Sequence, residues 1–444
     1  MNIPLILTQS FWRDEAFTML ISIKTPWEII QALIHDQSPP LYFLTLHYWI
    51  QLFGTGEYEV RLLSVVFYLG LAVLMFFITG EYIKNWLGRV LVSMTILSNP
   101  LLIQYAAEAR PYMMYTFLTT LGVYFLLKRW YVFSGMVFGL ATCTHNFGLF
   151  NLTAVLLWWV YEYRENLKQS LPTALRFFIP AGILSGLWSI VTIFQFSRIT
   201  SNFWLSENTL NMFVDMLETF TRGEIWHQTS HVLYLLSLLL IVVGSSYFIA
   251  PRKKQLTQLV TLAMHISIIP ICLTYLVSRF TAPIYYDRYL LASLPMIIVA
   301  LSYGVTKLWE ERRFTRIGLG ALIGVYLITA ALSASQVAQT SIKPPINWAV
   351  GEVLRLAQPG DSIVTEDVIN FLEAKWYARG NEKNVSTFTV FQGDDFPYFL
   401  GISAFDPEDV KSVVPENTNL WVIQIDGGFH KYTPGEVLSS QTTN

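Results

Sequence analysis

The chain has 444 residues, of which 53% are hydrophobic and 14% charged, and a mean hydropathy of +0.44; a water-soluble globule could not hide that much apolar surface. A net charge of −2 leaves no basic patch of the kind that binds nucleic acid. The only two cysteines, Cys143 and Cys272, lie in or beside apolar runs, where they read as small buried hydrophobes and not as a disulfide or metal pair.

From the N-terminus, residues 1–9 are too short to cross a bilayer. Asp14–Ser22 and Trp27–Ile34 have the spacing of short amphipathic helices, and Pro39–Phe53 that of a more apolar helix opened by a Pro pair, as in a segment lying on a membrane surface. Runs of spanning character follow at 62–83, 87–103, 112–127, 132–143, 147–161, 177–196, 232–250, 256–277, 284–306 and 317–333, those flanking His145 being short. The expected architecture is an α-helical polytopic membrane protein with about ten to eleven transmembrane helices.

The loop charges alternate. Lys84 and Arg89, Lys128 and Arg129, Arg164, Lys168 and Arg176, Arg252, Lys253 and Lys254, and Lys307, Arg312, Arg313 and Arg316 fall in every second loop, which the positive-inside rule makes cytoplasmic. The other loops, residues 1–61 and the tail are then extracytoplasmic. An N-terminal segment placed outside calls for an anchor ahead of it, so a first transmembrane helix upstream is expected. After Ser341 the hydropathy falls. Helix 348–357, a turn at 358–361, strand 362–365, helix 368–378 and strands 385–391 and 420–425 read as a small extracytoplasmic α/β domain over 342–444.

No internal repeat, phosphate-binding Gly loop, CxxC pair or HExxH helix is present, which argues against a nucleotide-driven pump and a zinc hydrolase. Polar residues near a bilayer are functional candidates by default. Phe11-Trp-Arg-Asp-Glu-Ala16 places two carboxylates beside aromatic rings, suited to taking a proton from an acceptor; the alternative is that Asp14 caps a helix and Glu15 faces solvent. Gln104–Tyr112 carries Glu108 and Arg110 ahead of Pro111, as a phosphate clamp or as an ion pair capping a hairpin. Tyr285-Tyr-Asp-Arg-Tyr289 offers Arg288 as a second anion contact among sugar-stacking aromatics, or an aromatic belt with one snorkelling Arg. His145 and His47 each read more readily as satisfied packing residues than as ligands. Asp361, Glu366, Asp367, Asp394 and Asp395 of the tail domain read as solvated loop charges.

Taken in order, Trp12-Arg-Asp-Glu-Ala16, Ser38-Pro-Pro-Leu-Tyr42, Leu46-His-Tyr-Trp49, Glu59-Val-Arg-Leu62, Gln104–Tyr112, Thr144-His145 and Asp287-Arg-Tyr-Leu290 resemble the GT-C superfamily of membrane glycosyltransferases, in the branch of protein O-mannosyltransferases and lipid A aminoarabinose transferases. The resemblance covers roughly residues 10–300. It implies a polyprenyl-phosphate sugar as donor, a protein, lipid or glycan acceptor, inversion at the anomeric carbon, Asp14 as general base and Glu15 beside it to bind or orient. Glu108, Arg110, Tyr112, His145, Asp287, Arg288 and Tyr289 are then the candidate substrate contacts. No cofactor and no metal ligand is implied, and a divalent-cation requirement stays open. Ser38 departs from the His or Lys that many relatives carry before the Pro pair. A lipid or glycan transporter, or an inactive assembly partner, is the alternative from another class.

Overall fold

The computed structural model describes residues 4–199, 211–225, 227–249, 257–281, 283–311, 316–381, 383–392, 396, 400–415, 419–433 and 438. Arg252, Lys253, Lys254, Arg312, Arg313, Asp394 and Asp395 lie outside these. The chain divides into two compact units: Met1–Val60 and Ser341–Asn444 with a short piece at Gln195, and Arg61 onward to Thr340.

In the first unit the surface segment folds as α1 (Leu5–Thr8), α2 (Arg13–Ser22), α3 (Pro26–Ile34) and α4 (Leu41–Phe53). Thr25 starts α3 by a reciprocal cap with Glu28, followed by Pro26, the arrangement that satisfies two orphan backbone donors. His47 bridges α2 and α4: its Nδ1 lies 2.9 Å from the Ser22 carbonyl and its Nε2 2.7 Å from Gln51. It is a satisfied packing residue.

The second unit contains α5 (Glu57–Thr79, whose first turn belongs to the first unit), α6 (Trp86–Leu97), α7 (Pro100–Ala106), α8 (Tyr112–Leu127), α9 (Tyr131–Thr144), α10 (Gly148–Glu162), α11 (Leu167–Ile199), α12 (Met212–Arg222), α13 (Gln228–Ile249), α14 (Gln258–Phe280), α15 (Ser293–Glu311) and α16 (Arg316–Ala338). Five of these, α5, α11, α13, α14 and α16, are long and apolar enough to cross a membrane, and the pair α6 and α7 forms a further span if counted as one. Their outward faces carry large apolar side chains: Leu187 is 80% exposed, Ile193 70% and Ile317 86%. Such faces need hydrocarbon around them, and the protein is an integral membrane protein.

Two of the expected spans are interrupted. The run 87–103 bends by 62° between α6 and α7. Asn99 accepts the Leu102 N–H at 3.0 Å and Pro100 takes the first helical position, so a new helix starts there with its own cap. The run 284–306 is helical only from Ser293; before it, residues 283–286 are irregular and Asp287–Leu290 form a 3-10 turn. Close helix approach depends on glycine. A Cβ at Gly304 on α15 would meet the Gly244 backbone of α13, and one at Gly135 on α9 the Phe177 carbonyl of α11. Cys143 donates to the Leu184 carbonyl, and Cys272 is exposed, so the burial expected of it from its apolar surroundings is not found within the chain.

The tail forms α17 (Ile346–Leu356), β1 (Ser362–Thr365), α18 (Phe371–Ala378), β2 (Ser386–Val390), β3 (Val410–Lys411), β4 (Leu420–Ile423) and β5 (Phe429–Lys431). The sheet order is β3-β2-β1-β4-β5, parallel except for β5. One core packs Ile346, Val350 and Val353 of α17 against Ala374 and Ala378 of α18 with Ile363 and Ile423 of the sheet. Asp361 fastens the turn into β1, accepting the Gln358 N–H and the Trp421 indole N–H, both at 3.0 Å.

Gly304→Val places side-chain volume against the Gly244 backbone and is expected to lower the melting temperature of the detergent-purified protein by several degrees, whereas Gly324→Ala, in open space, is expected to leave it within about a degree.

Candidate active site

The first unit holds Asp14 and Glu15 in the opening turn of α2, the end of a helix where negative side chains are stabilised. The residue before the helix is Trp12, whose indole has no acceptor to offer the first backbone N–H groups. Asp14 keeps 13% of its side-chain surface and lies 3.4 Å from Arg13. Glu15 is fully buried and takes Lys343 at 2.8 Å, the lysine being 6% exposed; its Oε2 also accepts the Trp12 backbone N–H at 3.4 Å. The reading of Glu15 as a solvent-facing residue therefore fails. A fully buried carboxylate needs a partner, and Lys343 supplies it from a position 328 residues away.

The strap of residues 342–347 around Lys343 also clasps the residues before α2. Gln9 Oε1 accepts the backbone N–H groups of Ile342 and Lys343 at 3.0 and 3.2 Å, and Ser10 Oγ accepts that of Asn347 at 3.1 Å. From α18, the Tyr377 hydroxyl accepts the Phe11 N–H at 2.7 Å and donates to Glu57 at 2.9 Å. The Phe11 ring stacks on Tyr377 and meets Trp376 edge-on.

The second unit draws together side chains from three loops. Tyr112 opens α8, His145 sits in the break between α9 and α10, and Arg288 and Tyr289 come from the 3-10 turn before α15. The His145 ring stacks on Tyr115 with centroids 5.1 Å apart and lies 5.3 Å from Tyr289 and 5.8 Å from Tyr112. The Arg288 guanidinium lies over Tyr286 at 4.4 Å, Tyr112 at 5.6 Å and Tyr289 at 5.8 Å, and the Arg110 guanidinium approaches Tyr112 at 5.9 Å. Arg288 is buried. Burial, then the charges of Arg110 and Arg288, hold the His145 imidazole neutral with its pKa down at about 3. It can offer hydrogen bonds and ring surface but brings no charge of its own.

Glu108 is buried, and the Ser64 hydroxyl donates to its backbone carbonyl at 2.6 Å. Asp287 has a different setting: it accepts from Tyr285 and Thr219 and thereby ties the 3-10 turn to α12, and burial raises its pKa above the usual carboxylate range. Reading the sequence alone missed Glu224, which follows α12 and accepts from Tyr105 at 2.6 Å and Gln104 at 2.8 Å. It also missed Lys343, Tyr115 and Glu373. Glu224 follows Gly223, whose φ of +78° marks a helix end, the one local signal available. Among the described residues no three His, Cys, Asp or Glu side chains are grouped as metal ligands.

A bundle of apolar helices interrupted at polar breaks, with a small parallel-sheet domain at the C-terminus, has solved counterparts. The apo structure of ArnT from Cupriavidus metallidurans matches with a TM-score of 0.62 over 95% of this chain and 90% of that one, at 12% identity. The chain has the fold of that protein. The same protein bound to undecaprenyl phosphate matches equally, and the Archaeoglobus fulgidus oligosaccharyltransferase, in complex with Zn and sulfate, matches with a TM-score of 0.54 at 12% identity, over 95% of this chain and 65% of its own. No family model and no curated protein matches the sequence.

Lys343→Met leaves the fully buried Glu15 without its cation and is expected to cost about 3–5 kcal/mol of stability, with a smaller loss in the Lys343→Met, Glu15→Gln double variant. Denaturant titration of the purified protein would show this, and an undiminished transition midpoint in Lys343→Met would contradict it.

Proposed function

We propose that this chain is a membrane glycosyltransferase that moves a sugar from a polyprenyl-phosphate donor to an acceptor on the extracytoplasmic face. The observation that carries the reading is the cluster of Arg110, Arg288, Tyr112, Tyr289 and neutral His145 within a GT-C fold, of which one solved example binds undecaprenyl phosphate. Two guanidiniums among aromatic rings suit a phosphate bonded to a sugar: the cations meet the oxygens and the rings meet the pyranose faces.

In the proposed reaction the acceptor O–H or N–H gives its proton to the Asp14 carboxylate. The acceptor's lone pair forms a bond to the anomeric carbon from the face opposite the phosphate. The bond between that carbon and the phosphate oxygen breaks, and its electron pair stays on the phosphate, which leaves as polyprenyl phosphate. Charge grows on that oxygen during the step, so Arg110 and Arg288 act most strongly in the transition state. Glu15, locked to Lys343, orients the helix that carries Asp14. The donor is already activated as a phosphate ester, so no nucleotide takes part. The alternating loop charges support the outer placement of this chemistry and of the tail domain.

Membranes expressing the chain, given a panel of radiolabelled polyprenyl-phosphate sugars, are expected to transfer one of them. Asp14→Asn should lower that transfer about 10²- to 10⁴-fold and Arg288→Ala about 10²- to 10³-fold. Full transfer by Asp14→Asn would remove the base assignment, and no transfer from any donor by folded wild type would remove the reading.

A further inference from the structure

The segment that carries Asp14 is gripped along one face of α18. Glu373, Trp376 and Tyr377 stand at positions i, i+3 and i+4 of that helix, and such positions share a face. Tyr377 receives the Phe11 N–H, and Trp376 and Tyr377 hold the Phe11 ring between them. Glu373 is 6% exposed and accepts a hydrogen bond from the backbone N–H of Arg13. Arg13 is the first residue of α2, so its N–H is one of the four that have no partner within the helix. That N–H is taken by a carboxyl of the C-terminal domain.

We infer that Glu373 is a positioning residue for Asp14: it caps α2 from the C-terminal domain and fixes the placement and electrostatic surroundings of the Asp14 carboxylate. The inference rests on Asp14 being the base. The charged groups that face Glu373 are Arg13 and Asp14 from α2 and Lys343 from the strap. The α17 face packed against α18 is apolar, formed by Ile346, Ala349, Val350 and Val353. On α18 itself, Lys375 is turned to Asp406 and Asp409. Burial dominates and raises the pKa of Glu373 to about 8, with Asp14 adding to the rise and Arg13 and Lys343 opposing it. Glu373 is therefore neutral at neutral pH and still accepts the Arg13 N–H through its carbonyl oxygen. As the pH passes about 8, a second negative charge appears beside Asp14.

The folded state holds this proton more tightly than the unfolded chain, so the contribution of Glu373 to stability is full below the ordinary carboxylate range and is lost as pH rises toward about 8. The test combines transfer kinetics from pH 6 to 9.5 with melting curves over the same range, for wild type, Glu373→Gln, Glu373→Ala and Asp14→Asn in the full-length protein. Glu373→Ala is expected to lower kcat about tenfold or more, with KM for the donor within about twofold. Glu373→Gln, which keeps the acceptor oxygen and cannot ionise, should restore most of that kcat. It should also remove the fall in kcat expected of wild type as the pH passes about 8 and the fall in melting temperature expected of wild type between pH 6 and about 8. Wild-type kinetics in Glu373→Ala, or an unchanged alkaline limb in Glu373→Gln, would overturn the inference while leaving Asp14 in place if Asp14→Asn is inactive. An active Asp14→Asn would instead remove the base assignment, and the melting curves would still decide whether Glu373 carries the buried proton.

Discussion

The contact on which the first unit depends is the ion pair between Glu15 and Lys343, at 2.8 Å with almost no exposure on either side. Two buried charges gain little net stability over a matched apolar pair, but either one left alone is costly. The pair therefore works as a register device. It permits one placement of the strap 342–347 against the start of α2, and the backbone bonds from Ile342, Lys343 and Asn347 to Gln9 and Ser10 are consequences of that placement. Asp14, one residue before Glu15, inherits its position from this lock, so the C-terminal domain is bound into the geometry of the N-terminal carboxylates.

In the second unit the organising constraint is the bilayer. Backbone groups inside hydrocarbon must be satisfied within the helix, so irregular backbone and charge gather at helix ends and breaks. The break after α9 supplies His145, the start of α8 supplies Tyr112 with Arg110 just ahead of it, and the 3-10 turn before α15 supplies Arg288 and Tyr289. Each is the polar end of an otherwise apolar element. Stacking on aromatic rings lets the guanidiniums sit away from bulk water, where their field on an incoming anion is less screened. That same field, with burial, keeps His145 uncharged, so the positive charge of the cluster stays on the two arginines.

How much of this was legible in the sequence differs by scale. Hydropathy and period located the apolar helices and most of the tail domain's elements, because those signals are local: β1 falls on 362–365 as expected, and α2 to α4 lie within two residues of their expected limits. Of the ten runs expected to span, five, or six with the bent pair, are long and apolar enough to cross among the described residues. The breaks were harder. Asn99-Pro100 is a helix-start signature inside a run that stays apolar on average, and the averaging that finds a span hides it. Tyr112, His145, Arg288 and Tyr289 could be nominated singly as polar residues at apolar ends, but their convergence is tertiary. Lys343, Glu224 and Glu373 carried no motif. Glu373 looks like one charge on a short helix, and only the packing of α18 on α2 shows that its carboxyl faces inward.

That packing bears on what the C-terminal domain is for. A domain that merely followed the membrane part could be joined through a solvated linker, with polar side chains on every face it turns to its own unit. Here the strap and α18 contribute a lysine, a carboxyl, a tyrosine hydroxyl and two aromatic rings to residues 11–15. A carboxylate on the first turn of a helix frays where the terminal N–H groups are left to water, because the turn then samples other conformations. Taking the Arg13 N–H with a carboxyl from another part of the chain makes the placement of Asp14 conditional on that part being folded. The tail domain is thereby coupled to Asp14 through the backbone it holds, and changes in its core are expected to be felt there before they are felt in the membrane helices.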